Sequence, residues 1–105
     1  MKSKRSKSCD IPMSVKEAVW ERDHHRCIVC GSPYGMPNAH IISRARGGLG
    51  VEKNIVTLCQ ECHRRYDQST KEDHEKIKAI INERMLRIYG EIKESEVTYG
   101  NRPNQ

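Results

Sequence analysis

The chain has 105 residues, 35% of them hydrophobic, with no Phe and one Trp, so it is long enough for one small domain and too poor in apolar residues to bury a large core. Lys and Arg total 19 against 14 Asp and Glu, giving a net charge of +5 and a pI near 9.1, a balance that favours a polyanionic partner such as nucleic acid. No apolar run approaches membrane-spanning length and the N-terminus has no hydrophobic leader region, so membrane functions are excluded and a soluble, cytoplasmic protein is expected.

Met1 to Cys9 is rich in Lys, Arg and Ser without periodicity, and residues 1–10 are expected to form a mobile basic tail. Ser14 and Glu17 fit a capping box, which predicts a helix carrying Val15, Ala18 and Val19 on its apolar side and fading near Asp23. Trp20, the sole large anchor, is expected to pack against the segment that follows.

Cys27-Ile-Val-Cys30 and Cys59-Gln-Glu-Cys62 are two C-x2-C brackets. Each makes a tight knuckle whose thiolates converge, and two knuckles supply the four soft ligands of a closed tetrahedral zinc site. Structural zinc contributes an apparent ~10–16 kcal/mol in small finger peptides, as much as the net stability of a whole domain, so Zn2+ is expected to be part of this thin-cored fold. Thiolates held on zinc suit a reducing compartment, and the odd count leaves Cys9 without a disulfide partner.

Between the brackets, Asn38 to Ser43 with β-branched Ile41 and Ile42 reads as a strand, and Asn54 to Leu58 as its antiparallel partner. Gly47, Gly48 and Gly50 predict a broad exposed turn between them. A short helix is expected over residues 60–67, carrying Cys62 and His63. A longer one opens at Thr70, with Ile77, Ile80, Ile81, Met85 and Ile88 at helical spacing before Gly90. This stripe is a packing face, either within the chain or against a second copy, so monomer and homodimer both stay open. Residues 91–105 read as a disordered tail. His24, His25 and His74 read as surface residues.

The order His40, Asn54, His63 between paired cysteines, with the Arg44-Ala45-Arg46-Gly47-Gly48 turn and Cys62-His63, resembles the HNH endonucleases, whose site sits on a ββα-metal (His-Me finger) core. The resemblance implies a small α+β fold with its nuclease domain over residues 11–90 and its core over 27–67. It implies an enzyme that hydrolyses DNA phosphodiester bonds, by nicking or double-strand cleavage. His40 would be the general base and His63 a ligand of a catalytic divalent metal. Asn54 would be either a second metal ligand or a residue hydrogen-bonding across the loop to orient the base. Mg2+ is the first expectation for that metal, with Mn2+, Co2+, Ni2+ and Zn2+ as alternatives. Many members of the family carry an acidic residue or a histidine immediately before the first histidine; Ala39 stands there and cannot coordinate. Arg44 and Arg46 are candidates to clamp phosphate through their guanidinium forks, and Arg64 and Arg65 to grip the DNA backbone. Compact chains of this kind resemble those of bacteriophages, which adds a terminase as a possible partner. The rival reading is an inactive zinc module that binds DNA or docks on a larger protein.

Overall fold

The computed structural model describes residues 3–100. It is a small α+β fold with one two-stranded antiparallel sheet between helices: α1 (Lys4–Cys9), α2 (Met13–Arg22), β1 (Met36–His40), β2 (Ile55–Leu58), α3 (Gln60–Gln68), α4 (Lys71–Tyr89) and α5 (Glu94–Val97). β1, β2 and α3 form the ββα unit. Among the described residues no helix is long and apolar enough to cross a membrane.

Burial explains the arrangement. All four residues of β2 are buried, because one face meets α2 and the other meets α3 and α4. On α4, Ile77, Ile81 and Met85 recur every fourth residue and close over a core of Cys27, Ala39, Val56, Leu58, Cys59, Cys62 and Tyr66. Ile80 and Ile88 were expected on the same stripe, yet they are 41% and 40% exposed, since their angular positions carry them to the flank of the buried row. Thr70 caps α4 through the Asp73 amide, as its sequence position implied.

Asp23, at the end of α2, ties the layers together. Its carboxylate accepts from Arg22 at 2.9 and 3.0 Å, from Arg84 of α4, and from the Thr57 amide of β2 at 2.9 Å. Burial alone would raise this carboxyl's pKa, but the Arg22 guanidinium and the Thr57 N–H outweigh it and hold it below the usual carboxylate range.

Several sequence expectations are corrected. α2 begins at Met13, ahead of Ser14, and uses no side-chain cap: the extended Pro12 offers its carbonyl to the Val15 and Lys16 amides, so the helix starts before the Ser14–Glu17 box can act. β1 lies over residues 36–40 instead of 38–43, because the chain leaves the ladder after His40, where Ile42 turns to the Asn54 side chain. The register runs Met36↔Leu58, Ala39↔Val56 and His40↔Ile55, with an irregularity around Pro37, which has no N–H to donate. Trp20 is outside the core and stacks on His25, centroids 4.7 Å apart. His74 is no plain surface residue either: it stacks on Tyr66 and bonds the Tyr66 carbonyl at 2.7 Å.

The two predicted tails also differ. Residues 4–9 form a helix with Ser3 as N-cap, and its last residue, Cys9, is 2% exposed. In the predicted C-terminal tail, Glu96 caps the Lys93 amide of α5, Val97 is buried, and Thr98 bridges to Gly48. Residues 101–105 of that tail, and residues 1 and 2, lie outside the described residues.

Both segments close on the glycine turn, which is not the broad exposed loop expected. Gly47, Gly48 and Gly50 are all buried. The Gly50 N–H donates to Ser8 on one side, while on the other the Leu49 N–H donates to Val97 and the Tyr99 N–H to Gly47. Backbone proximity, more than positive φ, is what requires glycine here: a Cβ on Gly48 would lie 1.7 Å from the Ile42 oxygen, and one on Gly50 2.0 Å from the Asp10 oxygen.

Candidate metal centre and catalytic cleft

The first knuckle is closed by Gly31 N–H to Cys27 O at 2.9 Å and tied to β2 by Ile28 N–H to Thr57 O at 3.0 Å. The second lies where β2 runs into α3, with Cys59 as the helix N-cap, its Sγ accepting from the Cys62 amide. The four Sγ atoms of Cys27, Cys30, Cys59 and Cys62 all lie within 4.8 Å of one another, and Cys30 and Cys59 are 3.6 Å apart. A zinc tetrahedron with Zn–S bonds of ~2.3 Å has edges of ~3.8 Å, so the cluster fits this ion. Cys27, Cys59 and Cys62 are buried and Cys30 is exposed. Burial would raise the Cys27 thiol, but backbone amides around it, those of Cys30 and Cys59 foremost, bring it down to about 7, whereas burial and the neighbouring thiols push Cys62 up. His63, although next to Cys62 in sequence, is not part of this cluster.

His40 and His63 instead line one cleft of about 740 Å³ on the opposite side of β1. Strand alternation does this: Ala39 is 0% exposed and points into the core, so Asn38 and His40 on either side of it reach the cleft. His40 Nε2 lies 2.8 Å from the Cys9 carbonyl oxygen. A carbonyl only accepts, so Nε2 carries the hydrogen and Nδ1 keeps its lone pair. Burial, together with the nearby Arg44 and His63, outweighs the Cys9 bond and Asp67 and lowers the His40 pKa below 6.5, so the imidazole is neutral at physiological pH. His63 projects from the first turn of α3 and pairs through Nε2 with Asp67 Oδ2 at 2.9 Å, one helical turn on.

Asn54 does not join them. It is 1% exposed, its Oδ1 accepts from the Ile42 amide at 2.9 Å, and its Nδ2 donates to the Ile42 and Leu49 carbonyls at 3.1 and 2.9 Å. Both ends of the Asn54 amide are thus engaged by the backbone, and the residue does not line the cleft that His40 and His63 share. Its amide clips the end of β1 to the glycine turn.

The arginines divide in the same way. Arg44 lines the cleft but donates to the Cys9 carbonyl at 2.9 Å and to Asp10 at 2.8 Å. Arg46 is exposed on the far side, beside Ile41 and Lys53. Arg64 is paired with Glu61 and Arg65 with Asp73, so the α3 pair presents compensated charge.

Sequence reasoning missed Asp10, Lys16 and Asp67, which line the cleft. Asp67 had a signal in its spacing of four from His63. Lys16 faces the cleft because α2 packs over β1, and nothing local announces that.

A family model described as HNH endonuclease matches residues 27–78, about half of the chain and the whole span from the first knuckle into α4. No curated protein and no solved structure matches. The matched span contains both cysteine pairs, the ββα unit, and His40, Asn54 and His63 in the family's order, and on these grounds the chain belongs to the HNH endonuclease family.

Proposed function

We propose that the protein is a zinc-stabilised, divalent-metal-dependent endonuclease that hydrolyses DNA phosphodiester bonds. The observation that carries this reading is the disposition of His40. Its Nε2–H is committed to the Cys9 carbonyl, and its lowered pKa leaves a neutral Nδ1 in the cleft shared with His63.

In this reading His40 Nδ1 takes a proton from water as the water oxygen forms its bond to phosphorus and the bond to the leaving sugar oxygen breaks. His63 would hold the catalytic cation, with Asp67 fixing its ring through Nε2 so that Nδ1 is the ligand atom. A divalent ion, Mg2+ first among the candidates, would supply there the positive charge that offsets the charge developing on the phosphate and the departing oxygen. With His63 as its protein ligand the donor set would be sparse, which magnesium tolerates. Lys16 at the cleft wall and Arg46 beside the glycine turn supply cations for the DNA backbone, and the Cys27, Cys30, Cys59 and Cys62 cluster would hold structural zinc.

Plasmid nicking in Mg2+, Mn2+, Co2+, Ni2+ and Zn2+ tests the proposal. His40→Ala should abolish cleavage while DNA binding persists, and His63→Ala should lose activity that excess metal partly restores. A wild-type chain that binds DNA but never nicks it in any of these metals, indistinguishable from His40→Ala, is an inactive binding module instead.

A further inference from the structure

The segment before Ile11 lies outside the matched span, yet it is built into the catalytic cleft. The carbonyls of a helix's last turn have no partner within the helix. In α1 they turn to the site: Ser8 O accepts from Gly50 N–H at 3.0 Å, and Cys9 O accepts from both His40 Nε2 at 2.8 Å and Arg44 Nη1 at 2.9 Å. Arg44 Nη2 meanwhile donates to Asp10 Oδ1 at 2.8 Å. One planar guanidinium thus spans the Cys9 carbonyl and the Asp10 carboxylate, a geometry for which arginine's rigid fork is suited and lysine's point charge is not. A helix of six residues does not persist alone in water, so these bonds, with Arg5 Nη2 to Ala45 O at 2.8 Å, are what keep α1 in place.

We propose that Arg44 and Asp10 are positioning residues of the active site, acting through the Cys9 carbonyl to hold the His40 imidazole with Nδ1 toward the reacting water. The proposal rests on the reading of His40 as general base. It moves Arg44 from the phosphate clamp that its sequence position suggested to the support of the base, since two of its nitrogens are already engaged by the protein. A displacement of ~1 Å in a catalytic group can cost ~100-fold in rate, so loosening this carbonyl should be visible in turnover.

The sign of the Asp10 effect separates this role from plain electrostatics. Asp10→Asn removes a negative charge from a cleft that receives DNA, so charge alone predicts tighter DNA binding and no loss of rate. Arg44→Lys keeps the positive charge that a phosphate clamp needs and removes only the fork. Both side chains are partly exposed, and the full-length variants are expected to fold, with zinc content and circular dichroism as the check.

The expected result is a fall of at least about ten-fold in nicking kcat for each variant at saturating DNA and metal, with DNA affinity unchanged for Arg44→Lys and equal or tighter for Asp10→Asn. In 15N-labelled protein without DNA, the His40 Nε2–H resonance should be protected from exchange in the wild type and lost in both variants. Wild-type kcat in Arg44→Lys, a protected Nε2–H in both variants, or a loss in Asp10→Asn that added metal restores would each overturn the proposal, the last by making Asp10 a metal ligand. If His40→Ala nicks like the wild type, the general-base reading fails, and the Nε2–H signal still judges the positioning pair on its own.

Discussion

Replacing Asn54 by Asp sets the two possible roles of this residue against each other with opposite signs. The substitution keeps the oxygen that accepts from the Ile42 amide and removes both hydrogens, those donated to the Ile42 and Leu49 carbonyls. Each buried carbonyl left without its donor costs ~1–3 kcal/mol, and the two together about 4 kcal/mol, before counting repulsion between the new oxygen and the carbonyls it faces. Against the ~5–15 kcal/mol that stabilises a small domain, this is a large fraction. Urea denaturation in zinc-buffered solution, followed by circular dichroism, measures the loss, and a metal titration of plasmid nicking on the folded fraction measures the alternative. A carboxylate binds a divalent cation better than an amide does. A metal ligand at this position would therefore show a lower metal requirement and little change in stability. A loss of stability below about 1 kcal/mol in Asn54→Asp, with tighter metal dependence, would refute the assignment of Asn54 as a structural clip.

Purified protein should hold one tightly bound zinc per chain, and Cys59→Ser should unfold it, because Cys59 both completes the thiolate set and caps α3; full helicity after zinc removal, read by circular dichroism, would contradict this. The acid limb of the nicking rate should have its midpoint below pH 6.5: the base must be neutral, burial with Arg44 and His63 depresses its pKa, and activity is lost only as pH falls through that lowered value. Asp23→Asn should destabilise by about 3 kcal/mol in chemical denaturation, leaving Arg22 and Arg84 without their buried anion. Because the folded Asp23 pKa lies below 3.8, its contribution to the wild type is complete above that pH and disappears as pH falls through the folded value, which denaturation midpoints between pH 5 and 2 would trace. DNA affinity should fall steeply with salt, by a log–log slope of about −0.9 per phosphate neutralised; Arg46→Ala should flatten the slope by about one contact, whereas Arg65→Ala, whose charge Asp73 already answers, should leave it nearly unchanged.

The parts of the fold that were legible from sequence share one property: the signal is carried by neighbours in the chain. Paired cysteines, the apolar β2, the Thr70 cap and the alternation of Ile77, Ile81 and Met85 are all local patterns, and each describes the element it sits on. What could not be read involves residues far apart. The glycines suggested a free turn because their conformational freedom is a local property, whereas the neighbours that require them are set by the fold: Ile42 at the other end of the same turn for Gly48, and Asp10, forty residues earlier, for Gly50. Arg44 suggested a phosphate clamp because its partners, Cys9 and Asp10, stand 35 and 34 residues earlier in the chain. Asn54 carried its family position but not its direction, which depends on how the chain leaves β1 after His40.

The gripping of the glycine turn from both sides also sets an order of events during synthesis. All four zinc ligands precede His63, so the emerging chain can gather its thiolates and close the ββα unit while its remainder is still in the ribosome. The turn beside the cleft then lacks one of its two supports, since the partners of the Leu49 N–H and the Gly47 carbonyl arrive only with Val97 and Tyr99. Joining residues so distant along the chain carries the larger loop-closure cost, which places this step late. The cysteine cluster and the finished turn are thus separated in time, and a growing polypeptide whose four thiolates have met is not yet one whose glycine turn is held from both sides.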